Sequence, residues 1–155
     1  MRRGFGVVEL IVVIFIMATA LVSLMGLYNI FMKTREQTAK YIQATSLAQE
    51  EIEAARNIRD DSWSNISSLS VDTAYHPIET GTPLKWSLSA GQETINGFSR
   101  KVVLSKVYRD ASDNIIDSGG TEDAGSRKIT ATVSWAKSGQ NYSINLFAYL
   151  TNWRP

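Results

Sequence analysis

Glu9 is the one charged residue in an otherwise apolar stretch from Gly4 to Met32. Behind it, Leu10 to Met32 is a run of 23 residues without an acid, a base or a histidine. At a helical rise of ~1.5 Å per residue this run is ~35 Å long, enough to cross a bilayer core of ~30 Å. A carboxylate inside a span costs ~3 kcal/mol at mid-membrane on insertion scales and less toward the edge. An acid kept there implies a function and a counter-charge to be found. The remaining reactive groups are scattered. His76, the sole histidine, precedes Pro77 in a turn-like stretch, which fits a turn or surface residue better than a base or a ligand. Asp113, Asp117, Glu122 and Asp123 are candidate oxygen ligands for calcium, but their spacing is not that of an EF-hand loop, and solvated turn acids are the simpler reading. Arg100, Lys101, Lys106, Arg109, Arg127, Lys128 and Lys137, with Trp86, Trp135 and Trp153, could form a basic aromatic face for nucleic acid. Lys and Arg number 16 against 15 acids, so no strong field favours that partner, and nucleic acid is not expected. Gly119-Gly120 carries no lysine in P-loop position. No catalytic constellation and no cofactor are expected, and with no cysteine in the sequence, disulfides and thiolate sites are excluded.

The order of features around Glu9 is more specific than any of these. Met1-Arg2-Arg3 is basic, Gly4-Phe5 follows, Glu9 comes four residues later, and the apolar run begins at once. This resembles the class III signal of type IV pilins and type II secretion pseudopilins. The resemblance implies that a prepilin peptidase cuts between Gly4 and Phe5 and methylates the new N-terminus at Phe5. It also implies that Glu9 is the helix glutamate satisfied by the ammonium of a neighbouring subunit. Ser46 to Asp60 is similar to the helix end of minor pilins of the PilV type and pseudopilins of the GspI type. The implied function is a structural, non-enzymatic filament subunit. Its implied partners are the peptidase, other pilin or pseudopilin subunits, an inner-membrane assembly platform, and lipid before assembly. Many pilins close a C-terminal loop with a disulfide, and this sequence departs from that pattern. The alternative is a bitopic anchored protein whose outer β domain binds a ligand or partner. A secretory signal peptide cut after Ala18-Thr19-Ala20 fits less well, because the apolar run continues twelve residues beyond that point.

Five segments position these residues. Residues 1–4 form the leader, held in the cytoplasm by its positive charge, with the outer domain on the other side of the inner membrane. Residues 5–32 form the transmembrane and assembly half of a helix, in which Gly26 is a point of flexibility. Residues 33–61 continue that helix without glycine or proline, with Tyr41, Ala44, Ala48, Ile52 and Ala55 drawing a narrow apolar stripe opposite Gln43, Gln49, Glu50, Glu53 and Arg56. Residues 62–97 read as a variable loop region with one short strand at Leu84–Leu88. Residues 98–155 read as an antiparallel sheet, with strands near Phe98–Tyr108, Ile115–Asp117, Ile129–Trp135 and Tyr142–Leu150. Ile129, Ala131, Val133 and Trp135 supply its cleanest alternation. The predicted fold is α+β and pilin-like, a long helix with its outer half under a sheet.

Overall fold

The computed structural model describes residues 6–153. Its elements in chain order are helix α1 (Val7–Asp61), a single helical turn α2 (Ser64–Ser67), and strands β1 (Ala74–Thr80), β2 (Lys85–Ala90), β3 (Glu93–Ile95), β4 (Phe98–Arg109), β5 (Ile115–Ile116), β6 (Thr121–Lys137) and β7 (Gln140–Thr151). A long, apolar-fronted N-terminal helix followed by an antiparallel sheet that packs on the helix's second half is the expected α+β arrangement. The chain divides into two compact units, Met1–Tyr41 and Ile42–Pro155.

In the first unit every described residue from Gly6 to Glu36 is exposed. The helix runs unbroken through Gly26, where an added Cβ would meet nothing within 4 Å beyond the backbone of its own turns.

In the second unit, burial along the helix follows the small-residue stripe. Ala44, Ala48, Ile52 and Ala55 are buried, joined by Ala54, Ile58 and Glu51. Tyr41, read as part of the stripe, remains 37% exposed, and burial begins at Ala44. Alanine is both the best helix former and the smallest side chain with a Cβ, so the stripe favours the helix and lets its backbone approach the sheet. Facing it are Phe98, Val102 and Leu104 from β4, Ile129, Ala131, Val133 and Trp135 from β6, and Leu150 from β7, all buried. Phe98, Trp135 and Tyr142 pack across three adjacent strands with ring centroids 5.7 Å apart at each step, tilted at the first and stacked at the second.

The main sheet order is β2-β1-β4-β6-β7, antiparallel throughout, with β3 and β5 also pairing with β4. The segment 62–97 holds three strands where the sequence reading expects one. His76-Pro77, read as a turn, lies inside β1. Pro77 is tolerated there because β1 pairs with β4 only at Ala74 and Tyr75, so the side of the strand that Pro77 leaves without a donor has no partner. Strand β3 turns into β4 through Asn96-Gly97, both at positive φ, the dipeptide that suits a tight hairpin. Val107, expected on the face opposite Val102 and Leu104, is 2% exposed, because a register shift between Lys106 and Tyr108 inverts the alternation. Strand β6 starts at Thr121, inside a stretch read as loop, and pairs Glu122 with Tyr108 and Thr121 with Arg109.

The close helix–sheet approach yields the first test. Ala48→Leu inserts three carbons into a position with no exposure. The expected loss is about 1–3 kcal/mol, read as a lower denaturation midpoint of the full chain in detergent. An unchanged midpoint would show that the seam has room to spare.

Candidate functional site

Two sites emerge, one in each unit. In the first, Gly6 caps the helix, its carbonyl accepting the N–H groups of Glu9 (3.0 Å) and Leu10 (3.2 Å). This places Glu9 in the first helical turn, where exposed N–H groups and the helix dipole favour a negative charge. Gly4 and Phe5, the cleavage and methylation residues implied by the resemblance, lie outside the described residues. From Leu10 to Met32 the helix is apolar on all sides, and residues on every face are exposed: Leu10 at 59%, Ile11 at 60%, Val22 at 71%. The hydroxyls of Thr19 and Ser23 within it are already satisfied. Thr19 donates to the carbonyls of Phe15 (3.1 Å) and Ile16 (2.9 Å), and Ser23 donates to that of Thr19 (2.9 Å). A helix hydrophobic all round and covered by nothing of its own is suited to lipid or to other helices. The helix is long and apolar enough to span a membrane, consistent with a single-pass membrane protein.

The second site is a knot of charge between helix and sheet. Arg100 on β4 points inward and is 5% exposed. Its guanidinium donates to Glu50 of the helix at 2.8 Å and to Glu93 of β3 at 2.7 Å. Burial alone would depress this guanidinium, but the bonds from the two carboxylates hold it above its ordinary value. Beside it Glu51 is wholly buried, and neither carboxylate oxygen has a hydrogen-bond partner. Burial pushes its carboxyl up to about 8, against the pull of Arg100 and with the repulsion of Glu50 and Glu93. Glu51 is therefore mostly protonated at neutral pH. Its residue type does not mark it, since it sits in the acidic run Glu50-Glu51 and the apolar stripe skips over it. The signal available in hindsight is its spacing, three residues after Ala48 and four before Ala55.

The other sequence candidates do not converge. Arg109 occupies the place a cation would take among the acidic candidates, donating to Asp123 at 2.7 Å and lying 3.5 Å from Asp113. That bond holds the Asp123 carboxyl below its ordinary value. Glu122 receives Lys106 at 2.7 Å. Among the described residues no group of three or more acids, histidines or cysteines is placed to hold a metal. The basic residues are spread as well. Arg100 is buried, Arg127 is largely covered and bonds the Ser126 carbonyl, and Lys128 lies 5.2 Å over the Phe147 ring. Trp135 is in the core. His76, within β1, bonds the Gly91 carbonyl through Nδ1 at 3.2 Å.

Glu51 gives a pH prediction with a definite sign. Its folded value lies above its ordinary value of 4.5, so the folded chain holds a proton that the unfolded chain releases. The stability it contributes is fully present below pH 4.5 and is lost as pH rises through about 8. At about 1.4 kcal/mol per unit, the whole swing amounts to a few kcal/mol. Chemical denaturation of wild type and Glu51→Gln across that range should show a falling curve for the first and a flatter one for the second. Parallel curves would mean that Glu51 does not change protonation in the core.

No family model matches this chain, and the searches of curated proteins and of solved structures find nothing similar to it.

Proposed function

We propose that this chain is a structural subunit of a filament of the type IV pilin or pseudopilin kind, held in the inner membrane by its N-terminal helix and then extracted into the filament. The observation that carries the proposal is the order Gly4-Phe5, Glu9, apolar run, on a helix whose only acid before Glu36 lies in its first turn. In this reading a prepilin peptidase cuts after Gly4 and methylates Phe5, with the N-terminus in the cytoplasm and the β domain outside. Before assembly, Leu10–Met32 rests in lipid, and Glu9 is near enough to the membrane edge to limit its cost. During assembly, neighbouring helices replace lipid around the apolar run. The Phe5 ammonium of one subunit then meets the Glu9 carboxylate of another in a low-dielectric seam where a lone acid would be strongly unfavourable. Gly26 lowers helix propensity by ~1 kcal/mol relative to alanine, and so offers a place for the helix to bend on extraction. The Arg100 guanidinium is held by Glu50 and Glu93 between helix and sheet, a structural use of charge that suits a building block.

Mass spectrometry of the chain recovered from membranes tests this directly. A mature N-terminus at methylated Phe5 is expected, while an intact Met1 would leave an anchored, non-assembling protein as the reading. Glu9→Val should insert into the membrane as well as wild type yet enter filaments at least tenfold less. Equal incorporation would remove the role assigned to Glu9.

A further inference from the structure

We propose that successive copies of this chain join edge to edge, β7 of one against β2 of the next, so that one sheet continues through neighbouring outer domains. The proposal rests on the filament reading above and names the contact between subunits outside the membrane.

Strands β7 and β2 are the two ends of the sheet. Natural edge strands are usually blunted by charge, proline, a bulge or shortness, because their unpaired backbone groups accept other strands. The twelve residues of β7 contain no charged residue, proline or glycine, and they pair with β6 in unbroken register. The Lys137↔Gln140 pair flanking the Ser138-Gly139 turn and the bond from the Asn152 N–H to the Gly125 carbonyl (2.8 Å) set the even-numbered residues of β7 to bond β6. The N–H and C=O groups of the odd-numbered residues, Asn141 to Thr151, therefore face outward. Ile144 and Leu146 on the helix side are only half covered, and Phe147 on the other face is 65% exposed. Strand β2 is the counterpart. Trp86 and Leu88 are half covered on the helix side. The Gly91 N–H bonds the Ala74 carbonyl, which leaves the backbone of the even-numbered residues of β2 facing out.

The occupant that fits both edges is a second copy. Four antiparallel steps separate β2 from β7, so the two edges run in the same direction. A copy displaced sideways presents its β2 parallel to β7, with its own Ile42–Asp61 helix segment on the same side of the sheet and pointing the same way. In a parallel ladder a residue that bonds across the new seam lies opposite one that bonds the other way. Odd residues of β7 then oppose odd residues of β2. Ser87 and Ser89 lie beside Asn145 and Phe147, while Trp86 and Leu88 extend the apolar layer of Ile144 and Leu146. The charge near this seam, Lys85, is already held by Asp61 at 2.6 Å. Pairing β7 with β7 about a two-fold axis would point the packed helices in opposite directions, which a filament of one polarity excludes. A head-to-tail contact that does not close generates a filament.

Disulfide trapping tests the contact in the full-length chain, whose lack of cysteine removes background. Cells co-express a Ser87→Cys chain with a Ser143→Cys, Asn145→Cys or Phe147→Cys chain and are oxidised mildly. Cross-linked pairs are expected with at least one of the three, and a chain carrying both cysteines should give a ladder of multimers. Phe147→Lys added to that double-cysteine chain should abolish the ladder without shifting its denaturation midpoint. Cross-links of a β7 cysteine to its own kind, or to a different protein, would overturn the proposal. So would absence of any cross-link in filaments whose subunits begin at methylated Phe5, a result that leaves the filament reading intact. Chains that keep Met1 and form no filament would remove both.

Discussion

The seam between the second half of α1 and the sheet depends on how closely a helix can approach a sheet when its contact residues are alanines. Ala44, Ala48 and Ala55 have no exposure at all, and most of the large side chains facing them come from the strands. The helix acts as a smooth rod, and the sheet supplies the volume around it. In this arrangement the second half of the helix contributes shape more than bulk to the seam. It also explains why Phe98 and Trp135 have to be as large as they are, since each fills space that a larger helix residue would otherwise occupy.

Against that seam Glu51 is the anomaly. A buried carboxyl without a hydrogen bond is unfavourable even when protonated, and a hydrophobic residue of similar size would serve packing better. Its neighbour Arg100 already has two carboxylates, so the site holds three acids around one base. Elsewhere the domain resolves its charges by simple pairing across strands. Lys106 with Glu122 and Arg109 with Asp123 turn a stretch that is polar by composition into the first residues of β6.

Much of this was legible in the sequence where periodicity was strong. The stripe from Ala44 to Ala55 and the alternation from Ile129 to Trp135 follow directly from helix and strand periods. What was not legible depended on partners distant in the chain. Pro77 reads as a turn until β1 is seen to have an unpaired side at that point. Val107 reads as outward until a bulge reverses the alternation. Asp123 reads as a loop acid until Arg109 is placed opposite. Strand β3 could have been found, since Asn96-Gly97 is a strong hairpin signal. Glu51 could not be separated from Glu50 by type, only by the angle each makes with the stripe. The reading of Glu9 as an assembly residue rests on an ordered pattern alone.

The hydroxyls of Thr19 and Ser23 bond back to their own helix. Each bond is local and needs no partner, so in lipid these residues behave as if they were apolar. A carbonyl that shares its hydrogen bond with a hydroxyl is also held less tightly by the backbone amide, which softens that turn of the helix. Rotating either hydroxyl toward an adjacent chain exchanges one oxygen for another at little net change. At Thr19 and Ser23 the middle of the apolar run therefore leaves no hydroxyl in need of a partner.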